Sequence, residues 1–246
     1  MKATPLITLL RGKNVALTTV ALAAMVTSAS AASISNGSFE NLTLPGVSAE
    51  IGPAGGQGQD VTGWTDMNAG YNFVYVPGKP IAAGQDGPVV LYGPPAPSPD
   101  GGNFVALDSD FGQGSFSTLV TGLTVGQTVT VSFYWATGQQ IPYTGAATTD
   151  LQVSLGGQEI TTNAITNPGL VVTPWVLDSL TFTATAATES LSFLADGSPG
   201  GVPSFALLDG VTVSSPTAPT PEPSSLILLG TGLAGIAGVL RRKLGR

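Results

Sequence analysis

The chain has 246 residues and contains neither His nor Cys. That removes the Ser-His-Asp and Cys-His nucleophiles, every zinc site built on imidazole or thiolate, and all disulfides. The groups left for chemistry are carboxylates, hydroxyls and amides. Paired carboxylates can act as acid and base in glycoside cleavage. Asp108 and Asp110 are the obvious pair, because residues two apart on a strand share a face. The same stretch, "LDSDFGQG", also reads as a strand end entering a turn, where Asp is favoured for bonding local N–H groups. Nothing around the pair sets one carboxyl against the other, so no residue is assigned a catalytic role and the chain is read as a non-enzyme. Oxygen ligands suit hard cations, so a metal held here would be of the Ca²⁺ kind.

Charge narrows the classes further. Only 9% of residues are charged, and the eight bases are Lys2, Arg11, Lys13, Lys79, Arg241, Arg242, Lys243 and Arg246. Between Ser33 and Thr220 one base, Lys79, stands against fourteen acids, so this body carries −13. Binding nucleic acid requires Lys and Arg against phosphates, and the body cannot supply them.

The bases at the two ends belong to targeting segments. Lys2, Arg11 and Lys13 precede the apolar "VALTTVALAAMV" of Val15 to Val26, and "SASAAS" follows with small residues. This is the pattern of a secretory signal over residues 1–32, cut after Ala31 or Ala32, and it predicts export across the inner membrane. An uncleaved anchor is the alternative. At the other end a Pro-rich linker, 216–223, leads to residues 224–246. There Leu226 to Leu240 runs fifteen residues without a charge and closes on Arg241, Arg242 and Lys243. As a helix the run spans roughly 22 Å, short for a hydrocarbon core of about 30 Å. Snorkelling arginine stems would extend it. The expectation is one short transmembrane helix with its bases on the cytoplasmic side, anchoring the body outside.

Pro221-Glu222-Pro223, the apolar run and the basic cluster, in that order, resemble the PEP-CTERM sorting signal of Gram-negative bacteria. The resemblance implies recognition and nearby cleavage by a membrane transpeptidase, exosortase, with Pro221, Glu222, Pro223, Arg241, Arg242 and Lys243 as the sorting motif. A membrane partner follows, and then a place at the cell surface or outside it. A plain tail anchor is the alternative.

The elements of the body, residues 33–215, read as strands. "YNFVYV" (71–76), "TVTVSFYW" (128–135), "LQVSL" (151–155), "LDSLTFTAT" (177–185) and "ESLSFLA" (189–195) are rich in β-branched and aromatic residues, and several alternate apolar with polar. Glycine turns separate them. Alternation marks antiparallel sheets with one wet face, so the fold class is all-β, a two-sheet antiparallel sandwich. Residues 78–102, Pro- and Gly-rich around "VVLY", read as a long surface loop with one short strand. Trp135 reads as core.

Four phrases, "ISNGSFEN" (34–41), "GNFVALD" (102–108), "LTVGQTVTVSFYWA" (123–136) and "FALLDGVTV" (205–213), are similar in order to galactose-binding-like jelly-roll modules of carbohydrate-binding proteins. The resemblance implies a jelly roll and a structural Ca²⁺ held by Glu40 and Asp209. First and last strands meet in such a fold, and two close carboxylates repel unless a cation separates them. It also makes Trp64 and Trp175 structural. The alternative leaves Asp209 bonding backbone N–H groups and Glu40 on the surface. Tyr71, Tyr92 and Tyr143 are the tyrosines expected to be exposed, and the ligand-binding residues stay unknown. The function expected is that of a displayed, non-catalytic matrix or biofilm component, with a carbohydrate-binding module for exopolysaccharide as the alternative.

Overall fold

Where apolar and polar residues alternate, the backbone is extended and burial follows the alternation. A computed structural model describes residues 31–52, 59–67, 70–79, 89–93, 96–216 and 225–244. The expected signal segment up to residue 30 and the Pro221-Glu222-Pro223 motif lie outside the described residues.

Among the described residues twelve strands form two sheets whose strand pairings are all antiparallel. Sheet 1 runs in the order β1 (Ala49–Glu50), β3 (Phe73–Tyr75), β4 (Phe104–Asp108), β12 (Ser204–Ser214), β6 (Thr128–Gln139) and β10 (Val176–Thr183). Sheet 2 runs β2 (Trp64–Asp66), β5 (Phe116–Thr121), β11 (Thr188–Ser198), β7 (Ala147–Leu155) and β8 (Gln158–Thr161), with β9 (Ile165–Asn167) on the other half of β7. The chain is therefore the expected β-sandwich.

The inward side chains of β6, β7 and β11, among them Phe133, Trp135, Leu151, Val153, Leu191 and Phe193, fill one core between the sheets. Each such side chain stabilises by about 1.5–3 kcal/mol through burial. Trp135 sits in this core as expected, 1% exposed. Each of the five stretches read as strands overlaps a strand: β6, β7 and β11 are longer than expected, reaching Gln139, Ala147 and Ser198, while 71–76 keeps only β3 and 177–185 ends at Thr183.

Two strands are buried on both faces, and this changes the reading of residues 78–102. Ala206 and Leu208 of β12 enter the main core, while Phe205 and Leu207 join Phe73, Phe104, Ala106 and Ala136 in a second cluster on the outer face of sheet 1. Val89 and Leu91 pack into this cluster. The described residues around Val89 and Leu91 are thus a cover on sheet 1 and not a free surface loop. Among the described residues of 78–102 there is no strand, only a single bridge from Leu91 to Gln140.

The tail forms the helix α1, Ser225–Leu244, with Arg241, Arg242 and Lys243 in its last turn. The expectation of a transmembrane helix is corrected here: no helix among the described residues is long and apolar enough to cross a membrane. The apolar run Leu226 to Leu240 is only fifteen residues, four of them Gly, and three bases follow it.

Candidate functional site

The site begins with a bulge in β12. Asp209 pairs with Tyr134, but the next register pair is Thr212 with Ser132, so one extra residue is inserted. Gly210 absorbs the kink at φ 59°. A Cβ on it would lie 3.0 Å from Asp100 Cβ and 3.1 Å from the Tyr134 ring, so the bulge also needs glycine for space. Asp209 is fully buried. Its Oδ1 accepts the Gly210 N–H at 2.7 Å, and its Oδ2 is buried with no hydrogen-bond partner.

The second wall is the loop 36–41. Asn36, at φ 54°, ties it together: Oδ1 accepts from Asn41 N at 3.0 Å, and Nδ2 donates to the carbonyls of Asn41 and Thr62. Phe39 is also left-handed, at φ 55°, a conformation costing about 1–3 kcal/mol. Its fully buried ring packs edge-on to Trp64 and against Phe116, which holds it there. The loop is fastened to the bulge by Val211 N, which donates to the Gly37 carbonyl at 2.9 Å.

The third wall is the turn before β4. Asn103 donates its N–H to Glu40 Oε1 at 2.6 Å and its side-chain amide to the Phe39 carbonyl at 3.1 Å. Gly102, at φ 72°, leaves room for the carboxylate, since a Cβ there would fall 1.9 Å from Glu40 Oε1. Asp100 hangs from the same turn.

The two acids singled out from the sequence, Glu40 and Asp209, are therefore brought into one neighbourhood, and Asp100 joins them. The Asp209 carboxyl is pushed up to about 7. Burial is the largest cause, Ser98 and the Gly210 N–H oppose it, and the charges of Asp100 and Glu40 add to it. Among the described residues no three His, Cys, Asp or Glu side chains are close enough together to hold a metal by themselves. A cation would have to bind Glu40 and Asp209 with neutral oxygens. The orphaned Oδ2 and the glycine cradle under Glu40 fit that arrangement. Sequence reasoning missed Asp100 and Asn103. The signal was "DGGN", a run shaped for two left-handed glycines directly before a strand.

Asp108 and Asp110 do something else. Asp108 is 1% exposed, and its carboxylate accepts the N–H groups of Asp110, Phe111 and Gly112 at 2.8, 3.2 and 3.1 Å. Burial raises its pKa while those three N–H groups oppose the rise. Asp110 accepts Gly201 N at 2.7 Å. Asp108 holds its own turn, as the second reading of "LDSDFGQG" had it, whereas Asp110 reaches the N–H of a distant turn.

Aromatic platforms are mostly covered. Trp64 donates Nε1 to the carbonyls of Ser35 and Asn36 and stacks on Phe116 at 4.8 Å. Trp175 donates to Ala96 O at 2.9 Å and meets Phe104 edge-on, and Phe104 stacks on Tyr75 at 5.1 Å. Tyr71 and Tyr92 are half-buried, and Tyr143 is exposed beside Phe111. An open groove of about 870 Å³ lies instead on the outer face of sheet 2, where β2 meets β5.

A family model described as the PEP-CTERM protein-sorting motif matches residues 219–243. A comparison with curated proteins gives no match. Solved structures resemble the body. One is the enzymatically active domain of tailspike protein 4 from bacteriophage CBA120, at 12% identity and TM-score 0.34, over 74% of this chain and 21% of that one. This chain thus spans about a fifth of the tailspike chain. Another is TmCBM61 in complex with β-1,4-galactotriose, at 18% identity and TM-score 0.35, covering 63% and 89%. A third is a CBM4 structure, at 17% and 0.34, covering 74% and 99%. The specific finding is at the C-terminus: residues 219–243 of this chain are a PEP-CTERM protein-sorting motif.

Proposed function

We propose that this is an exported, non-catalytic β-sandwich, handed to an exosortase through its C-terminal motif and displayed at or beyond the cell surface as a matrix or biofilm component. The observation that carries the reading is the sorting motif at residues 219–243, placed behind a separate β-sandwich. Glu222 is the one charge between the body and the helix, so it is the residue whose removal the sorting enzyme would notice. The test uses tagged full chain in host cells with and without exosortase. Processing and location should differ between them, and Glu222→Gln should imitate the loss. Identical processing in both hosts would overturn the reading.

A structural Ca²⁺ belongs to the same proposal. Glu40 and Asp209 would hold it, with Ser98 and backbone carbonyls nearby to complete an oxygen shell. Its charge would relieve the repulsion among Glu40, Asp100 and Asp209 and pin the first loop to the last strand. The second reading, recognition of exopolysaccharide by the body, is favoured by the groove on sheet 2, which among the described residues has hydroxyl groups in its lining and no charged side chain.

A further inference from the structure

The groove has an unusual wall. Thr65 of β2 stands opposite Ser117 of β5, and Met67 N bonds the Ser115 carbonyl in the same register. The next pair along would be Gly63 with Leu119. The Gly63 carbonyl instead accepts from Thr118 Oγ1 at 2.7 Å, and no backbone bond joins Gly63 to Leu119. Two residues further, Ser33 takes over the edge, exchanging two 3.0 Å backbone bonds with Thr121. The edge of β5 is therefore shared by two partners with a gap at Leu119, and the gap opens onto the groove.

The lining follows from the pleat. Ser117, Leu119 and Thr121 point outward from β5, and Ser190 lies beside Leu119 on β11. Ser33 and Ser35 close the side. Ser33 and Thr121 bond each other through their hydroxyls at 3.3 Å, which leaves those of Ser35, Thr65 and Ser190 for a ligand. Leu119 is 60% exposed and Met67 46% exposed, giving apolar patches among the hydroxyls. Among the described residues no Asp, Glu, Lys or Arg lines the groove.

We propose that this groove binds a short stretch of uncharged glycan, a site that rests on the carbohydrate-binding reading and gives it a place. Hydroxyls both donate and accept, as sugar hydroxyls do, and the exposed Leu and Met suit the C–H faces of a pyranose. An ionic polymer would find no counter-charge here and a −13 body around it. An added peptide strand needs a run of unpaired backbone, and the gap is one residue long.

The experiment titrates full chain in detergent with neutral glucan, galactan and mannan oligosaccharides, a polyuronate, and an uncharged Ser/Gly peptide, by calorimetry. Ser190→Trp and Thr65→Trp each fill the groove from an exposed strand position, where aromatic residues are tolerated. Their melting temperatures confirm that they fold, and either folded variant suffices. The expected result is binding of one neutral oligosaccharide, weakened at least tenfold by either substitution. Equal binding by wild type and variants would overturn the groove while leaving the carbohydrate reading in place. Preference for the polyuronate or the peptide, lost in the variants, would overturn the ligand class. No binding by any probe would overturn the groove and the carbohydrate reading together.

Discussion

Raising the pH from 5 to 8 without divalent cations is expected to destabilise the body through Asp209, and Ca²⁺ is expected to reverse this. The folded carboxyl titrates near 7 against an ordinary 3.8. A raised carboxyl pKa means that the folded state holds a proton the unfolded state has lost. Stability therefore falls as pH climbs from about 4 to about 7 and is level above that. Three pKa units correspond to about 4 kcal/mol. Asp209→Asn removes the charge but leaves an amide N–H without an acceptor where Oδ2 now lies, costing about 1–3 kcal/mol. In chelator at pH 8 the variant should exceed wild type by about 1–3 kcal/mol. For a body of this size that is roughly 2–12 °C in melting temperature. At pH 5 the advantage should vanish or change sign. Bound Ca²⁺ needs the ionised carboxylate, so it should stabilise wild type far more at pH 8 than at pH 5 and leave the variant unmoved. Scanning calorimetry in chelator and in Ca²⁺ at both pH values, in added salt to screen diffuse binding by the acidic surface, reads all of this. If the difference between wild type and Asp209→Asn in chelator does not change between pH 5 and 8, Asp209 is not the strained group described here. If both proteins respond alike to Ca²⁺, it is not a ligand.

Two further outcomes test other parts of the molecule. Gly102→Ala should destabilise the body by about 1–2 kcal/mol from its left-handed backbone alone, and should blunt the Ca²⁺ response seen in thermal melts, because the new Cβ displaces Glu40. Glu189 is buried, yet its pKa is lowered: burial raises it, but the Thr185 hydroxyl and the N–H groups of Thr185 and Ala186 outweigh that. A lowered pKa gives stability that is present above the ordinary Glu range and lost as pH falls through the folded value. Glu189→Gln should therefore cost about 1–3 kcal/mol at pH 7 and progressively less in acid, by denaturant unfolding at pH 7 and pH 3.

Alternation made β6, β7, β10 and β11 legible, since each keeps one face inward. It failed at β5, "FSTLVT". There the inward position is Thr118 and the outward one is Leu119, so polar and apolar exchange places and no period of two survives. It also failed at β8, four residues with a single large apolar side chain. The misread segment 78–102 had a signal elsewhere. "FVAL" in β4 and "FALL" in β12 are unbroken apolar runs, and such runs mean burial on both faces. Something must then cover the outer face of sheet 1, and Val89 and Leu91 do so. Glu40 and Asp209 were legible from their phrases. Asp100 was not, because its proximity depends on where the cover crosses the sheet.

The charge pattern explains why Asp209 stands apart from the other acids. With Lys79 as its only base, the body cannot neutralise its carboxylates with ion pairs. It turns them to backbone N–H groups instead. Asp108 closes the 108–112 turn with three of them, Glu189 holds the 184–187 turn, Asp110 takes Gly201, Asp178 takes Ser179 and Glu40 takes Asn103. An acid used this way is a turn clamp, and its burial is offset by the donors it gathers. Asp209 is fully buried with Ser98 and the Gly210 N–H as its only opposing neighbours, its Oδ2 has no hydrogen-bond partner, and two more acids face it. Glu189 Oε2 is likewise without a partner, but three donors on Oε1 already hold its pKa down and no second acid raises it. Burial raises Asp66 and Asp108 as well, Asp66 to about 6, but Asp209 is pushed further than Asp66, to about 7, and a cation is a partner that would answer its charge.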